Sequence, residues 1–140
     1  MKDTTKFPSP IYQETVLAPI FDTFKAEYYS DMMSINYAHA AMLVEQGILT
    51  QEEGKQIILA LKEIEEEIDL DSLEYTGEYE DLFFYVEKQL INRIGIETAG
   101  KLHTGRSRND LNITLFKMKT KQYMRTLLNQ LLYLQKTLLR

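Results

Sequence analysis

A chain of 140 residues with 44% hydrophobic and 26% charged residues, 6 Gly and 3 Pro is long enough to bury a core, and it is neither disordered nor collagen-like. With no cysteine and only 2 histidines it has no disulfide, no thiolate nucleophile and no Cys- or His-built metal site, so no metal and no cofactor is expected and any chemistry falls to carboxylates, hydroxyls, amides, amines and guanidinium groups. A net charge of −5 argues against a nucleic-acid partner, and no apolar run approaches the roughly 18 residues needed for a membrane partner of the spanning kind.

In chain order, the opening Met1-Lys2-Asp3-Thr4-Thr5-Lys6 lacks the apolar centre of a signal peptide, so the cytoplasm is the expected compartment. Residues 20–46 are breaker-free, and Tyr29, Met33, Tyr37, Ala40 and Leu43/Val44 recur at three- and four-residue spacing, which predicts a helix that Gly47 stops. Thr50-Gln51-Glu52-Glu53 reads as a capping box, and Ile57, Ile58, Leu61, Ile64 and Ile68 form the apolar stripe of a second helix. Residues 69–77 have no periodicity and read as a loop. A third helix is predicted over 78–94, opening on Glu78, Glu80 and Asp81 and closed by Gly95. Residues 95–106 then read as one extended loop.

From Ser107 onward no Gly or Pro occurs. Ser107-Arg108-Asn109-Asp110 resembles a second capping box, and Ile113, Phe116, Met124, Leu127, Leu128, Leu131, Leu134 and Leu138 mark a long helix with a wide apolar stripe. No stop signal follows, so the chain reads as cut inside a bundle helix. The fold class expected is all-α.

Chemistry concentrates at residues 99–110. Lys101, Arg106 and Arg108 fall in an eight-residue stretch without an acid, and a glycine-bearing loop that feeds a helix start offers backbone N–H groups and the positive end of the helix dipole. A guanidinium, the Ser107 hydroxyl and the Asn109 amide add donors suited to a carboxylate or phosphate. From spacing alone two readings stand: an anion site, or solvated arginines beside an ordinary helix cap.

The run His103-Thr104-Gly105-Arg106-Ser107-Arg108-Asn109-Asp110, preceded by Ala99-Gly100-Lys101-Leu102, resembles the signature of argininosuccinate lyases in the fumarase/aspartase superfamily. Looser agreement lies at Glu45-Gln46-Gly47-Ile48-Leu49-Thr50, Glu80-Asp81 and Glu87. The resemblance implies an N-terminal helical domain over 1–106 and the first part of a central helical bundle over 107–140. It implies a homotetramer whose active sites draw on three subunits, and elimination of fumarate from an amine–succinate adduct, argininosuccinate in arginine biosynthesis. Ser107, Arg108 and Asn109, with Thr104, would bind the succinyl half, and Thr104 and Gly105 would shape the turn. The family's catalytic serine and Thr-His pair would lie beyond position 140, leaving no catalytic residue in this stretch.

Some positions depart from the family pattern. Phe21 and Lys25 stand where a substrate-contacting Ser and Asp are expected, Phe83 replaces the His of Asp-Ile-His, and Leu111 replaces a Gln. The alternative expectation is therefore an inactive helical assembly protein that keeps the lyase fold. His39 reads as a packed or surface helix residue, His103 as one that orients the loop by hydrogen bonding, and the acids of residues 63–67 as a solvated face.

Overall fold

Helix begins well before residue 20. In the computed structural model, which describes residues 8–139, α1 (Pro10–Tyr12) runs into a π-helical turn (Gln13–Leu17) and on into α2 (Ala18–Glu45). The expected start at 20 is thus corrected, and the reason is local. Pro19 cannot donate and its ring crowds the carbonyl one α-turn back. The wider π turn, in which the Ala18 N–H reaches Gln13 O, carries the chain past that defect without a break.

The C-terminus of α2 is a Schellman motif: the Ile48 N–H donates to Leu43 O (2.9 Å) and the Gly47 N–H to Val44 O (3.0 Å). Gly47 supplies the left-handed residue this needs, with φ 67°. α3 (Gln51–Glu67) opens on the expected capping box, in which Thr50 Oγ1 accepts from the Glu53 N–H and Glu53 Oε2 accepts from the Thr50 N–H.

The third helix, α4 (Leu82–Ile94), starts four residues later than the acid-rich sequence suggests. Asp81 is outside it, in an extended conformation, and its Oδ1 accepts from the Phe84 N–H at 3.2 Å. An Asp is worth more as an N-cap than as a first-turn residue, so it fixes the start. The expected loop over 95–106 is also mostly helical, with α5 (Ile96–Ala99) followed by a 3₁₀ turn (Gly100–His103). α6 (Arg108–Leu138) has the expected capping box at Ser107 and Asp110. No strand occurs among the described residues, and the fold is all-α.

The chain divides at the Arg106–Ser107 junction into two compact units. In the first, α3 lies against α2 and α4, and the core is built from Met32, Met33, Ala40 and Leu43 of α2, Ile57, Leu61 and Ile64 of α3, and Leu82, Val86 and Leu90 of α4. Phe21 is buried and packs against Tyr75, ring centroids 5.6 Å apart, while Lys25 Nζ donates to Leu73 O at 2.7 Å. These two contacts pin the segment before α4 to α2. In the second unit, Ile113, Phe116, Met124, Leu127, Leu128, Leu131, Leu134 and Leu138 of α6 are all exposed.

α2 and α3 approach closely at Gly54, where an added Cβ would stand 2.2 Å from Val44 Cγ2. Val is stiff at χ1 in a helix, so that methyl cannot easily turn away. Gly54→Ala is therefore expected to destabilise by about 1 kcal/mol despite the better helix propensity of Ala, and in a Val44→Ala background to stabilise by up to about 1 kcal/mol. Urea denaturation of the four variants checks the sign reversal; a stabilising Gly54→Ala beside Val44 would refute the close approach.

Candidate functional site

The signature residues fall in both units, Thr104 with His103 and Arg106 in the first and Ser107, Arg108 and Asn109 in the second. In the first unit residues 103–106 form a type II turn. Thr104 has φ −60° and ψ 126° and Gly105 has φ 74°, a conformation that favours glycine, and the Arg106 N–H donates to His103 O at 3.3 Å. The Thr104 N–H also bonds Lys101 O at 3.1 Å.

Three side chains around this turn find partners on neighbouring helices. Lys101 pairs with Glu53 of α3, whose carboxyl is held down at about 2 by hydrogen bonds from Lys101 and from the Thr50 N–H and hydroxyl. Arg106 Nη2 donates to Asn36 Oδ1 at 2.6 Å. His103 Nε2 stands 3.2 Å from Glu87 Oε1 of α4, with its ring 5.0 Å from that of Phe83, centroid to centroid. The expectation that His103 orients the loop by hydrogen bonding agrees with this geometry. Lys101 and Arg106 are each drawn to a helix of the first unit by its own partner.

Burial governs the charges here. It lowers the Arg106 guanidinium to about 10, still protonated at neutral pH. Burial, then the Arg106 charge and His39, lowers His103 to about 4, so its ring is neutral and its Nε2–H donates to Glu87. Burial pushes Glu87 up. His39 is lowered by burial and then by Arg106, and its Nε2 lies 3.0 Å from Thr104 O. Sequence reasoning missed both the His39 contact and Asn36. The latter was discoverable: position 36 lies on the same three- and four-spaced face as Met33 and Ala40, and a lone amide there needs a partner.

In the second unit Ser107 is the N-cap of α6. Its Oγ–H and backbone N–H both donate to Asp110 Oδ2 at 2.7 Å, and the Asp110 N–H donates back to Ser107 Oγ at 3.4 Å. These bonds hold the Asp110 carboxyl below its usual range. Asn109 is exposed and Arg108 half-buried on the first turn, where backbone N–H groups emerge and the helix dipole is positive. That arrangement can bind a carboxylate.

Comparison with known proteins gives one family and a set of close relatives. A protein-family model described as Lyase matches residues 9–140. The chain is 50% identical over 125 residues to argininosuccinate lyase 2 of Agrobacterium fabrum, an alignment covering 89% of this chain and 25% of that protein. It is 44% identical over 102 residues to argininosuccinate lyase of Sulfurihydrogenibium sp., covering 73% of this chain and 22% of that one. It is 38% identical over 125 residues to that of Staphylococcus carnosus, covering 85% and 27%. The chain thus spans about a quarter of the length of the curated relatives it matches. No solved structure matches it.

The lowered His103 has a measurable consequence. The unfolded imidazole takes up its proton near 6.5 and the folded one near 4, so the unfolded state binds more protons between these values and stability is lost as pH falls through that window. His39 adds to the loss, while raised Glu87 opposes it only where carboxylates titrate. The melting temperature is expected to drop between about pH 7 and pH 5, and His103→Gln, which keeps a donor for Glu87 but does not titrate, should flatten the slope. Circular dichroism melts across pH check this; an unchanged slope in the variant would refute it.

Proposed function

This chain belongs to the lyase family, and from that premise we propose that it forms part of an argininosuccinate-lyase-like enzyme, holding the succinyl carboxylate of an amine–succinate adduct from which fumarate is eliminated. The observation that carries the reading is the signature turn leading into the Ser107-capped start of α6, with Arg108 and Asn109 on its first turn. The names of the relatives support argininosuccinate as the adduct and arginine biosynthesis as the setting. They favour this reading over an inactive assembly protein.

The chemistry follows from charge. A base removes the proton on the carbon beside a carboxylate, the electron pair delocalises into that carboxylate, and the C–N bond then breaks with its pair leaving on nitrogen as the double bond of fumarate forms. Negative charge on the carboxylate peaks before C–N cleavage, so fixed donors at that point lower the barrier more than they tighten ground-state binding. Arg108 can grip the carboxylate in two places and Asn109 can donate an amide N–H; Thr104 is the contact proposed in the first unit. We assign no base to residues 1–140. The exposed Leu stripe of α6 supports its assignment as the first helix of a bundle completed by other copies in a homotetramer. No helix among the described residues is long and apolar enough to cross a membrane, which fits the proposed cytoplasmic enzyme.

In the full-length protein, Arg108→Ala is expected to lower kcat/KM for fumarate release about 10²- to 10³-fold, whereas Ser107→Ala should cost about 1 kcal/mol of stability through the lost cap. Fumarate absorbance with argininosuccinate and related adducts, run beside residues 1–140 alone, provides the test. Turnover by residues 1–140 alone, or an Arg108→Ala protein of undiminished activity, would overturn the assignment.

A further inference from the structure

We propose that His39, supported by Asn36 one turn away on α2, is a positioning residue that locks the turn at residues 103–106 in its type II form and so fixes the direction of the Gly105 N–H. This rests on the reading of that turn as part of the succinate-binding loop.

A type II turn converts to type I by rotation of its central peptide, here Thr104–Gly105, at little cost to the flanking chain. The turn's own bonds, Thr104 N–H to Lys101 O and Arg106 N–H to His103 O, are made by the flanking peptides and leave the central one free to rotate. What holds it comes from α2. The Thr104 carbonyl lies 3.0 Å from His39 Nε2, and a carbonyl can only accept, so His39 presents Nε2–H. On the far side of Gly105, Arg106 is held by Asn36 at 2.6 Å. The two α2 residues are three apart, on one helix face.

The consequence lies on the other edge of the peptide. In a planar trans peptide the C=O and N–H point in opposite directions. With its carbonyl tied to His39, the Thr104–Gly105 peptide aims the Gly105 N–H away from α2. A rotated peptide would present the carbonyl oxygen there instead, repelling an anion. His39 thus acts through the backbone, selecting a donor over an acceptor where a carboxylate would sit, and does not touch substrate.

The test uses His39→Gln, which keeps a donor near the Nε2 position, against His39→Phe and His39→Met, which do not. In the 15N-glycine-labelled chain, whose 6 glycines give a sparse spectrum, the Gly105 amide should stay single and sharp in wild type and the Gln variant. It should split or broaden in the Phe and Met variants. In the full-length protein the donor-less variants should lose roughly tenfold in kcat/KM while Gln restores it to within about twofold. An unchanged Gly105 amide without the donor, or Gln and Phe variants equally impaired, overturns the proposal. A wild-type protein that releases no fumarate from any adduct overturns the lyase reading instead, and the amide signal then decides the turn by itself.

Discussion

A buried amide on the apolar face of a helix is tolerable only if something reaches it. Asn36 is 4% exposed among methionines and alanines of α2, and the group that satisfies it, Arg106, lies 70 residues further along the chain. That bond draws a guanidinium into the first unit, where its Nε and Nη1 are also buried. A charge so placed must be accommodated by its surroundings. Burial lowers both His103 and His39 and the Arg106 charge adds to it, and each ring serves as a hydrogen-bond donor, His103 to Glu87 and His39 to the Thr104 carbonyl. The bond to Asn36 thereby places a cation beside both rings that hold the signature turn.

The same segment shows how a cluster of like charges in sequence is dispersed in space. Lys101 is taken by Glu53, a carboxylate already held by the Thr50 cap, so the start of α3 and the 3₁₀ turn share one acceptor. Of the three cations in the signature, two serve the packing of the first unit. Arg108 and Asn109 of the second unit are the side chains proposed for anion binding.

What could be read from the sequence was governed by periodicity and capping. α2, α3 and the long α6 carry apolar residues at helical spacing, and the Thr50 and Ser107 capping boxes were both visible. The errors have physical causes. The π turn before Pro19 has no sequence signature, and Asp81 looked like a first-turn acid when it is the cap. Residues 96–103 are too short for periodicity, so their single turns were hidden behind three glycines. Of the candidate site, the signature run was legible as a motif because its residues are contiguous. The contacts that shape the turn were not, since His39, Asn36 and Glu87 are joined to it only by folding, and a lone His beside alanines gives no hint of a carbonyl 65 residues away.

Ser107 shows how helix chemistry would constrain the proposed substrate binding at the same residue. Its hydroxyl proton is committed to Asp110 and its oxygen accepts the Asp110 N–H, so a substrate carboxylate could win that proton only by displacing Asp110. Displacement would cost the capping box its Ser107 Oγ–H bond and bring a second anion toward one already stabilised there, since the same bonds hold the Asp110 carboxyl down. A substrate held through the Ser107 hydroxyl would therefore compete with the capping box. The capping box works best as a fixed frame: Asp110 neutralises part of the dipole, Ser107 terminates the helix, and the next two residues emerge on its first turn in a set geometry. Such preorganisation is what electrostatic stabilisation of a transient carbanion requires, because donors that are already oriented need no rearrangement as the charge develops.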